Sequence, residues 1–461
     1  MEKIVLDGQA FLENEEVPFH YENNILKLYF EHFSIKEGTV AENDTSNAPL
    51  ESQELEHLIR VRKRGMLSGG YYLMHMESPL AKMDILPFPH TSSRRVNWFI
   101  DSFDSNAKYH EMRFRFDELS YFLPSHSKVT IVEDKELVFD RSVNEIFSGN
   151  MKVGDIDTEV KLVIYSNGNY GVFSAASAKT ISEIRISFEP TDDYEFFYKL
   201  FLIVSDIFSF ICNRRNLTLE SADILGSFEF EGKHPVTSTL VVSDKYKEQV
   251  EESRIIAKTT EYRYFEDCFG NLIQLIASNY DEEDGTVSIK GLHPSTLQRQ
   301  LIDLRQSINI TSAFEYHVRK FMPEISSADT LQTYEEIKKL IQDEYVDKVT
   351  GKKKKVAKQI INSLQPVISL GDKVKKAIKG YDGWPSLESV VSERFSDWED
   401  LARIVNDWRN ELAHEKRKIH PTYDTIRSVR MVEHLNYAII LRVAGYSNEQ
   451  IKAIVDEVLI V

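Results

Sequence analysis

The spacing of apolar residues changes near residue 250. Upstream they alternate with polar residues, as in Lys161–Tyr165 and Val172–Ser174, which is the period of a half-buried strand. From about Glu251 onward they recur at three and four, the period of amphipathic helices. Two such stretches do not share one layered core, so the sequence predicts two domains of different class. Residues 1–250 read as a β-rich, sandwich-like or jelly-roll-like domain and residues 251–461 as an all-α helical bundle, an α+β multidomain chain. A length of 461 residues agrees with two or three domains.

In the first half the strand candidates are Ile25–Phe30, Val96–Ser102, Lys128–Val132, Glu159–Tyr165, Ile184–Phe188 and Leu217–Glu220. Ser166-Asn167-Gly168-Asn169 separates Lys161–Tyr165 from Val172–Ser174 and reads as a hairpin turn, because Asn and Gly tolerate positive φ. Residues 43–55 read as a polar loop. One helix interrupts the strands, from about Asp192 to Cys212. Its stripe of Phe196, Phe197, Leu200, Phe201, Val204, Ile207, Phe208 and Ile211 predicts core packing. That stretch contains Lys199 and Asp206 and is too short and too charged to span a membrane.

The second half predicts helices over Arg254–Asn279, Pro294–Met322, Thr330–Tyr345, Lys354–Leu364, Leu370–Lys379, Leu387–Lys416, Tyr423–Gly445 and Asn448–Leu459. Asp284-Gly285, Pro323, Gly351, Pro366, Gly380 to Pro385 and Pro421 separate them.

A net charge of -17 argues against a generic electrostatic nucleic-acid binder. It leaves room for a local basic surface. Residues 343–380 hold ten lysines against four acidic residues, including the run Lys352, Lys353, Lys354 and Lys355. A solvated helix start explains such a run equally well. The two cysteines, Cys212 and Cys268, lie in apolar segments and read as free thiols of a reducing, cytoplasmic environment. The acidic N-terminus has no apolar run of the signal-peptide type. No Cys/His pair has zinc spacing, no phosphate loop or nucleophile elbow is present, and neither a metal nor a cofactor is expected. Tyr71-Tyr72 and the cluster from His90 to Trp98, with Arg94 and Arg95, suit a sheet face or edge, with a recognition surface as the sharper alternative.

The most chemically specific stretch is Arg409-Asn410-Glu411-Leu412-Ala413-His414. On a helix from Phe395 to Lys416, Trp398, Leu401, Ala402, Val405, Trp408 and Leu412 form one apolar stripe about 120° wide. Arg403, Asn406, Asn410 and His414 form a polar stripe beside it, with Asn410 and His414 neighbours at i and i+4. Arg409 falls by angle inside the apolar stripe, where an unpaired guanidinium is costly. It must pair, snorkel out, or face an interface or ligand. Arg409 and His414 lie about 140° apart, so one copy does not focus both on one atom, whereas two copies meeting across a dimer could.

RNA carries its own nucleophile, the 2′-hydroxyl. Cleavage needs a base, an acid for the leaving 5′-oxygen, and positive charge for the crowded phosphate. Histidine serves as base or acid near neutral pH, and arginine supplies fixed bidentate donors. The alternative is a surface histidine beside a helix C-terminus.

Trp408-Arg409-Asn410-Glu411-Leu412-Ala413-His414 resembles the Arg-x4-6-His motif of HEPN domains, and the chain as a whole is similar to ApeA-like anti-phage proteins. Phe188-Glu189-Pro190 leading to Asn213-Arg214-Arg215 resembles the end of their N-terminal domain. Ser312-Ala313-Phe314-Glu315 resembles an early HEPN helix, and Leu370-Gly371-Asp372-Lys373-Val374-Lys375 the segment before the motif helix. The resemblance implies a metal-independent endoribonuclease acting in abortive infection as a HEPN homodimer. Arg409 and His414 are then catalytic and Asn410 assists. Glu315 supports them, either paired with Arg409 or merely exposed. RNA, with tRNA as the family's example, is the implied partner, and the basic run Lys352–Lys355, read from its charge, is the candidate surface to bind it; a phage-derived trigger is implied for the β-rich domain. Two other readings stand beside it: a non-catalytic RNA- or protein-binding HEPN module, and a β-domain ligand sensor with a dimerising helical half.

Overall fold

The computed structural model describes residues 4–12, 15–30, 56–63, 71–80, 90–104, 106–123, 129–131, 137–139, 143–167, 179–229, 232–242, 259–281, 287–292, 304–323, 328–363, 368–413 and 421–459. The chain forms two compact units. The first comprises residues 1–150, 155–202 and 218–249, and the second residues 151–154, 203–217 and 250–461.

The first unit is β-rich, and its sandwich-like character takes the form of a sheet closed on itself. Strands β1 (Val5–Leu12), β2 (Glu15–Glu22), β3 (Ile25–Phe30), β4 (Glu56–Lys63), β5 (Tyr71–Leu80) and β6 (His90–Phe103) pair antiparallel in the circular order β1-β2-β3-β6-β5-β4. Alternation explains the closure, since Leu26, Leu28, Phe19, Tyr21, Val61, Met74 and Met76 all point inward and fill the lumen. The barrel is therefore a packed core and not a container. Gly8 permits the β1–β4 seam, because a Cβ there would stand 1.8 Å from the Arg62 carbonyl oxygen.

Strand β6 is long enough to leave the barrel. Its first half pairs with β3 and its second with β14 (Lys233–Val242). The sheet runs on through β13 (Ser221–Glu229), β7 (Lys108–Phe114), β12 (Lys179–Thr191), β11 (Ile156–Asn167) and β10 (Asn144–Val153). The strand paired with β11 is β12, in the register Asn167↔Lys179; Val172–Ser174 and the Gly168-Asn169 turn lie outside the described residues, as do residues 43–55. The expected strand at Leu217–Glu220 begins only at Ser221. The Thr218 N–H donates to the Glu118 carboxylate and so leaves the ladder, and Glu118 stands on α1 (Asp117–Phe122). Strands β8 (Val129–Ile131) and β9 (Leu137–Phe139) form a separate pair.

Helix α2 (Tyr194–Cys212) starts where Asp193 Oδ1 accepts the N–H groups of Glu195 and Phe196. Its aromatic stripe is core: Phe196 meets Phe188, Phe197 meets Tyr109, and Phe201 meets Phe114. Trp98 is buried between the rings of His75 and Tyr198 at 5.2 and 5.4 Å, so this end of the His90–Trp98 cluster is packing, not a surface.

On the other side of the β7–β12 sheet Glu183 is wholly buried. Its carboxylate accepts from Arg115 Nε at 2.5 Å, Arg185 Nε at 2.6 Å and the Tyr165 hydroxyl at 3.2 Å. Arg185 and Arg113 are direct cross-strand neighbours of like charge, and Glu183 lies beside both. Glu183→Ala is expected to destabilise this unit by about 1–3 kcal/mol, read from the urea midpoint, because it removes the carboxylate that the half-buried Arg185 and the Tyr165 hydroxyl bind.

The second unit is helical. Its elements are α3 (Phe269–Ala277), α4 (Ile289–Leu292), α5 (Leu304–Phe321), α6 (Ala328–Glu344), α7 (Lys352–Ser363), α8 (Leu370–Lys379), α9 (Glu388–Val391), α10 (Trp398–Ala413), α11 (Tyr423–Val443) and α12 (Asn448–Val458). Helix α11 is the buried centre, with α5, α10 and α12 packed around it. Two expected helices are broken. In the described part of Arg254–Asn279, which starts at residue 259, the α-helix begins at Phe269, preceded by 3-10 turns, and the Phe265 carbonyl is taken by the Tyr446 hydroxyl at 2.8 Å. Leu387–Lys416 divides at residues 392–397, where Asp397 binds Arg427 of α11 through two hydrogen bonds of 2.7 and 2.8 Å. That guanidinium holds the Asp397 carboxyl below the usual carboxylate range. Helix α8 falls on Leu370–Lys379 as expected, and α12 begins with a Ser447/Gln450 capping box. No described helix is long and apolar enough to cross a membrane.

Candidate active site on the motif helix

Helix α10 carries the Arg-Asn-x3-His stretch at its C-terminal end. Its core face is the expected one. Trp398, Leu401, Ala402, Val405 and Trp408 are buried, and Leu412 is half-buried. Ser396-Asp397 ahead of Trp398, together with the Arg427 clamp, fixes where the helix starts.

Helix α8 lies antiparallel against α10. Gly371 sits so close that a Cβ there would stand 2.7 Å from the Ala402 carbonyl oxygen and 3.3 Å from Asn406 Cβ. At the other end Lys379 Nζ binds Glu399 at 2.7 Å and stands over the Trp398 ring at 5.5 Å. The hydrogen bond with Glu399 raises the Lys379 pKa and lowers that of Glu399. The N-terminus of α8, capped by Ser369, therefore faces the motif end of α10. Leu370-Gly371 carried this contact in the sequence without announcing it: the signal is a glycine one position inside a helix, where glycine is disfavoured unless another backbone needs the space.

Arg409 is half-buried, and its Nε lies out of reach of solvent with no hydrogen-bond partner. Its placement inside the apolar stripe is thus real, and among the described residues nothing accepts from that Nε–H. Asn410, on the next face, is exposed. His414 lies outside the described residues. Glu315 of α5 takes a different partner from the one considered for it, accepting from Lys373 of α8 at 2.8 Å. It ties α5 to α8, next to the motif helix. The four lysines of the basic run open α7, where Lys352, Lys353 and Lys355 are exposed and Lys354 is half-buried. Among the described residues no group of three His, Cys, Asp or Glu side chains is placed to hold a metal ion.

Two buried histidines stand away from this site. His317 of α5 donates from Nδ1 to Asn436 Oδ1 at 2.7 Å and accepts the Ser288 N–H at Nε2 at 3.0 Å. His434 of α11 donates from Nδ1 to the Arg430 carbonyl at 3.0 Å and takes the Arg394 guanidinium at Nε2. Burial pushes both down to about 4, so both are neutral structural groups and not proton shuttles at neutral pH.

Residues 308–450 match the family model described as Apea-like HEPN. No curated protein and no solved structure gives a significant match. The matched span holds most of α5, all of α6 through α11 and the whole Arg409–His414 stretch. It supports a nuclease-type function of the HEPN kind for the helical unit.

Proposed function

From the premise that this chain carries an Apea-like HEPN domain, we propose that its helical unit is a metal-independent endoribonuclease. His414 moves the proton of the 2′-hydroxyl or of the leaving 5′-oxygen, Arg409 holds the phosphate, and Asn410 assists. The observation that carries the reading is the Arg409 Nε–H, buried and without an acceptor among the described residues. An unmet buried donor costs about 1–3 kcal/mol, more when the group is charged. Substrate phosphate supplies the missing acceptor, and a second copy of the chain completes the pair of proton-transfer groups. The working unit is then a homodimer through the helical domain. Glu315 acts indirectly, by fixing α8 against α5 through Lys373.

The lysines of α7 fit substrate binding for an electrostatic reason. Lys352–Lys355 occupy the first turn of the helix, at the positive end of its dipole, with no acidic residue there. Cations at that end oppose the dipole, by about 0.3–1 kcal/mol each near the terminus. An RNA backbone relieves the conflict. Replacing all four by glutamate is expected to weaken RNA binding by at least a hundredfold near physiological salt and to flatten the salt dependence by about three in slope. Filter binding across a salt series reads both, and an unchanged slope would remove these lysines from the interface.

The β-rich unit, with its filled barrel, would meet a trigger on its outer surface. In this reading it restrains the nuclease until a phage-derived signal arrives in the cytoplasm, and the RNA cut, with tRNA as the first candidate, halts growth. The direct test is analysis of RNA ends after expression of the protein and of His414→Ala. A 2′,3′-cyclic phosphate or its hydrolysis product, opposite a 5′-hydroxyl and formed in EDTA, is expected only from the unaltered chain. Equal growth arrest by His414→Ala without new RNA ends would favour a binding module in place of a nuclease.

A further inference from the structure

The face of the β7–β12 sheet that holds Glu183 also carries a row of cations. Lys161 of β11, Arg185 of β12 and Arg113 of β7 are direct partners across three neighbouring strands, so their side chains leave the same face at spacings of about 5 Å. Like charges directly opposite one another destabilise a sheet, and carboxylates offset only part of that cost here. Arg185 Nε donates to the buried Glu183 at 2.6 Å and Arg113 Nε to Glu111 at 2.5 Å. Lys161 Nζ lies 3.0 Å from Glu159 and 3.4 Å from Glu145. Arg115, the other guanidinium of this face, is closed by Glu183 and Asp223.

The two guanidinium groups of the row are held at one end only. Each uses Nε for its carboxylate, and among the described residues no hydrogen bond engages the terminal nitrogens of Arg113 or Arg185. The two side chains are 29% and 25% exposed, and those nitrogens stay within reach of solvent. The Tyr165 ring, 5.8 Å from the Arg185 guanidinium, steadies it from β11, and the Tyr165 hydroxyl donates to Glu183. Two oriented forks therefore stand side by side with their terminal edges free.

We propose that Arg113 and Arg185 form a phosphate-binding site in the β-rich unit, with Lys161 at its edge and Glu111 and Glu183 as orienting carboxylates. A terminal phosphoryl group has three oxygens and accepts from both forks, whereas a carboxylate has two and fills one. A guanidinium already fixed through Nε loses little freedom on binding. The bound anion also relieves the repulsion along the row. Glu111, Glu145, Glu159, Glu183 and Asp223 share this face, so it repels an extended polyanion and favours one phosphoryl group seated on the pair. That group belongs to a free phosphate compound or to the end of an RNA chain.

The test is calorimetric titration of the full chain, in the His414→Ala background so that RNA is not cut. The probes are inorganic pyrophosphate, ATP, and one short RNA made with a 5′-phosphate and with a 5′-hydroxyl. Arg113→Gln is expected to weaken the phosphate probe that binds by about 10- to 100-fold, the loss of one charge-assisted fork. Its melting temperature without probe is expected to be unchanged, because only a partly exposed pair with Glu111 is lost. Arg113→Lys keeps the charge without the fork and is expected to stay at least about 5-fold weaker than the unaltered chain. Binding of ATP or pyrophosphate that depends on Arg113 assigns a free phosphate compound. A preference for the 5′-phosphorylated RNA over its 5′-hydroxyl twin, lost in Arg113→Gln, assigns an RNA end. No binding by any probe, or equal affinity in Arg113→Gln and Arg185→Gln, overturns the proposal.

Discussion

Arg409→Met is expected to abolish RNA cleavage and, in the same protein, to raise the stability of the helical unit. The two effects have one cause. Arg409 occupies a position that the helix turns toward its apolar stripe, and its Nε–H is buried without an acceptor among the described residues. Methionine keeps the unbranched stem that packs there and removes the unmet donor. The gain is about 1–3 kcal/mol, read as a higher urea midpoint. The loss is that of a bidentate phosphate ligand, about a hundredfold or more in cleavage rate. Arg409→Lys separates charge from geometry, since an ammonium carries the charge without the planar fork and should recover little of the rate. His414→Ala gives the contrasting pattern, a fall of about 10²–10⁴ in rate with unchanged RNA affinity. A structural arginine would do the opposite, with Arg409→Met lowering stability and leaving cleavage intact. That result would sink the assignment.

The misplaced arginine was legible from angular position alone, because helical period is the strongest signal a sequence carries and α10 obeys it from Trp398 to Trp408. The helical unit as a class was legible for the same reason, down to the matching limits of α8. What escaped were features set by partners distant in sequence. Asp397 breaks the expected helix because Arg427 lies across from it, and nothing local to residues 387–416 foretells that. Leu217–Glu220 has strand character, yet Thr218 surrenders its N–H to Glu118, about a hundred residues away. Closure of the barrel is the same kind of fact. Alternation marks each strand, but the pairing of β1 with β4 depends on Gly8, whose role appears only when another backbone is against it. Glu315 and Arg409 illustrate the limit within the site. Their charges suggested a pair, while geometry gave Glu315 to Lys373 and left Arg409 open.

The second large effect concerns acid. Lowering the pH from 7 to 4 is expected to remove roughly 6 kcal/mol of stability from the helical unit through two side chains, His317 and His434. Both are buried and held neutral, with folded pKa values pushed by burial from 6.5 to about 4. In the unfolded chain each takes up a proton as the pH falls through about 6.5, while in the native state neither does until about 4. The unfolded state therefore binds more protons throughout that window, and stability falls as pH falls. Each unit of pKa difference is worth about 1.4 kcal/mol, so each histidine accounts for roughly 3 kcal/mol once pH 4 is reached. Above pH 6.5 the contribution is complete. Their surroundings explain why the native state refuses the proton. His317 Nε2 already accepts the Ser288 N–H, and His434 Nε2 faces Arg394 with Arg430 close by, so a second ring proton would meet a donor in one case and a guanidinium in the other. Urea titrations at half-unit pH intervals should show stability falling with a slope approaching two protons between pH 6 and 4.5. His317→Gln, whatever its own cost at pH 7, should fall with one proton fewer. A ring-proton NMR titration placing either histidine near 6.5 in the folded protein would contradict the argument, since a group with the same pKa in both states contributes no slope at all.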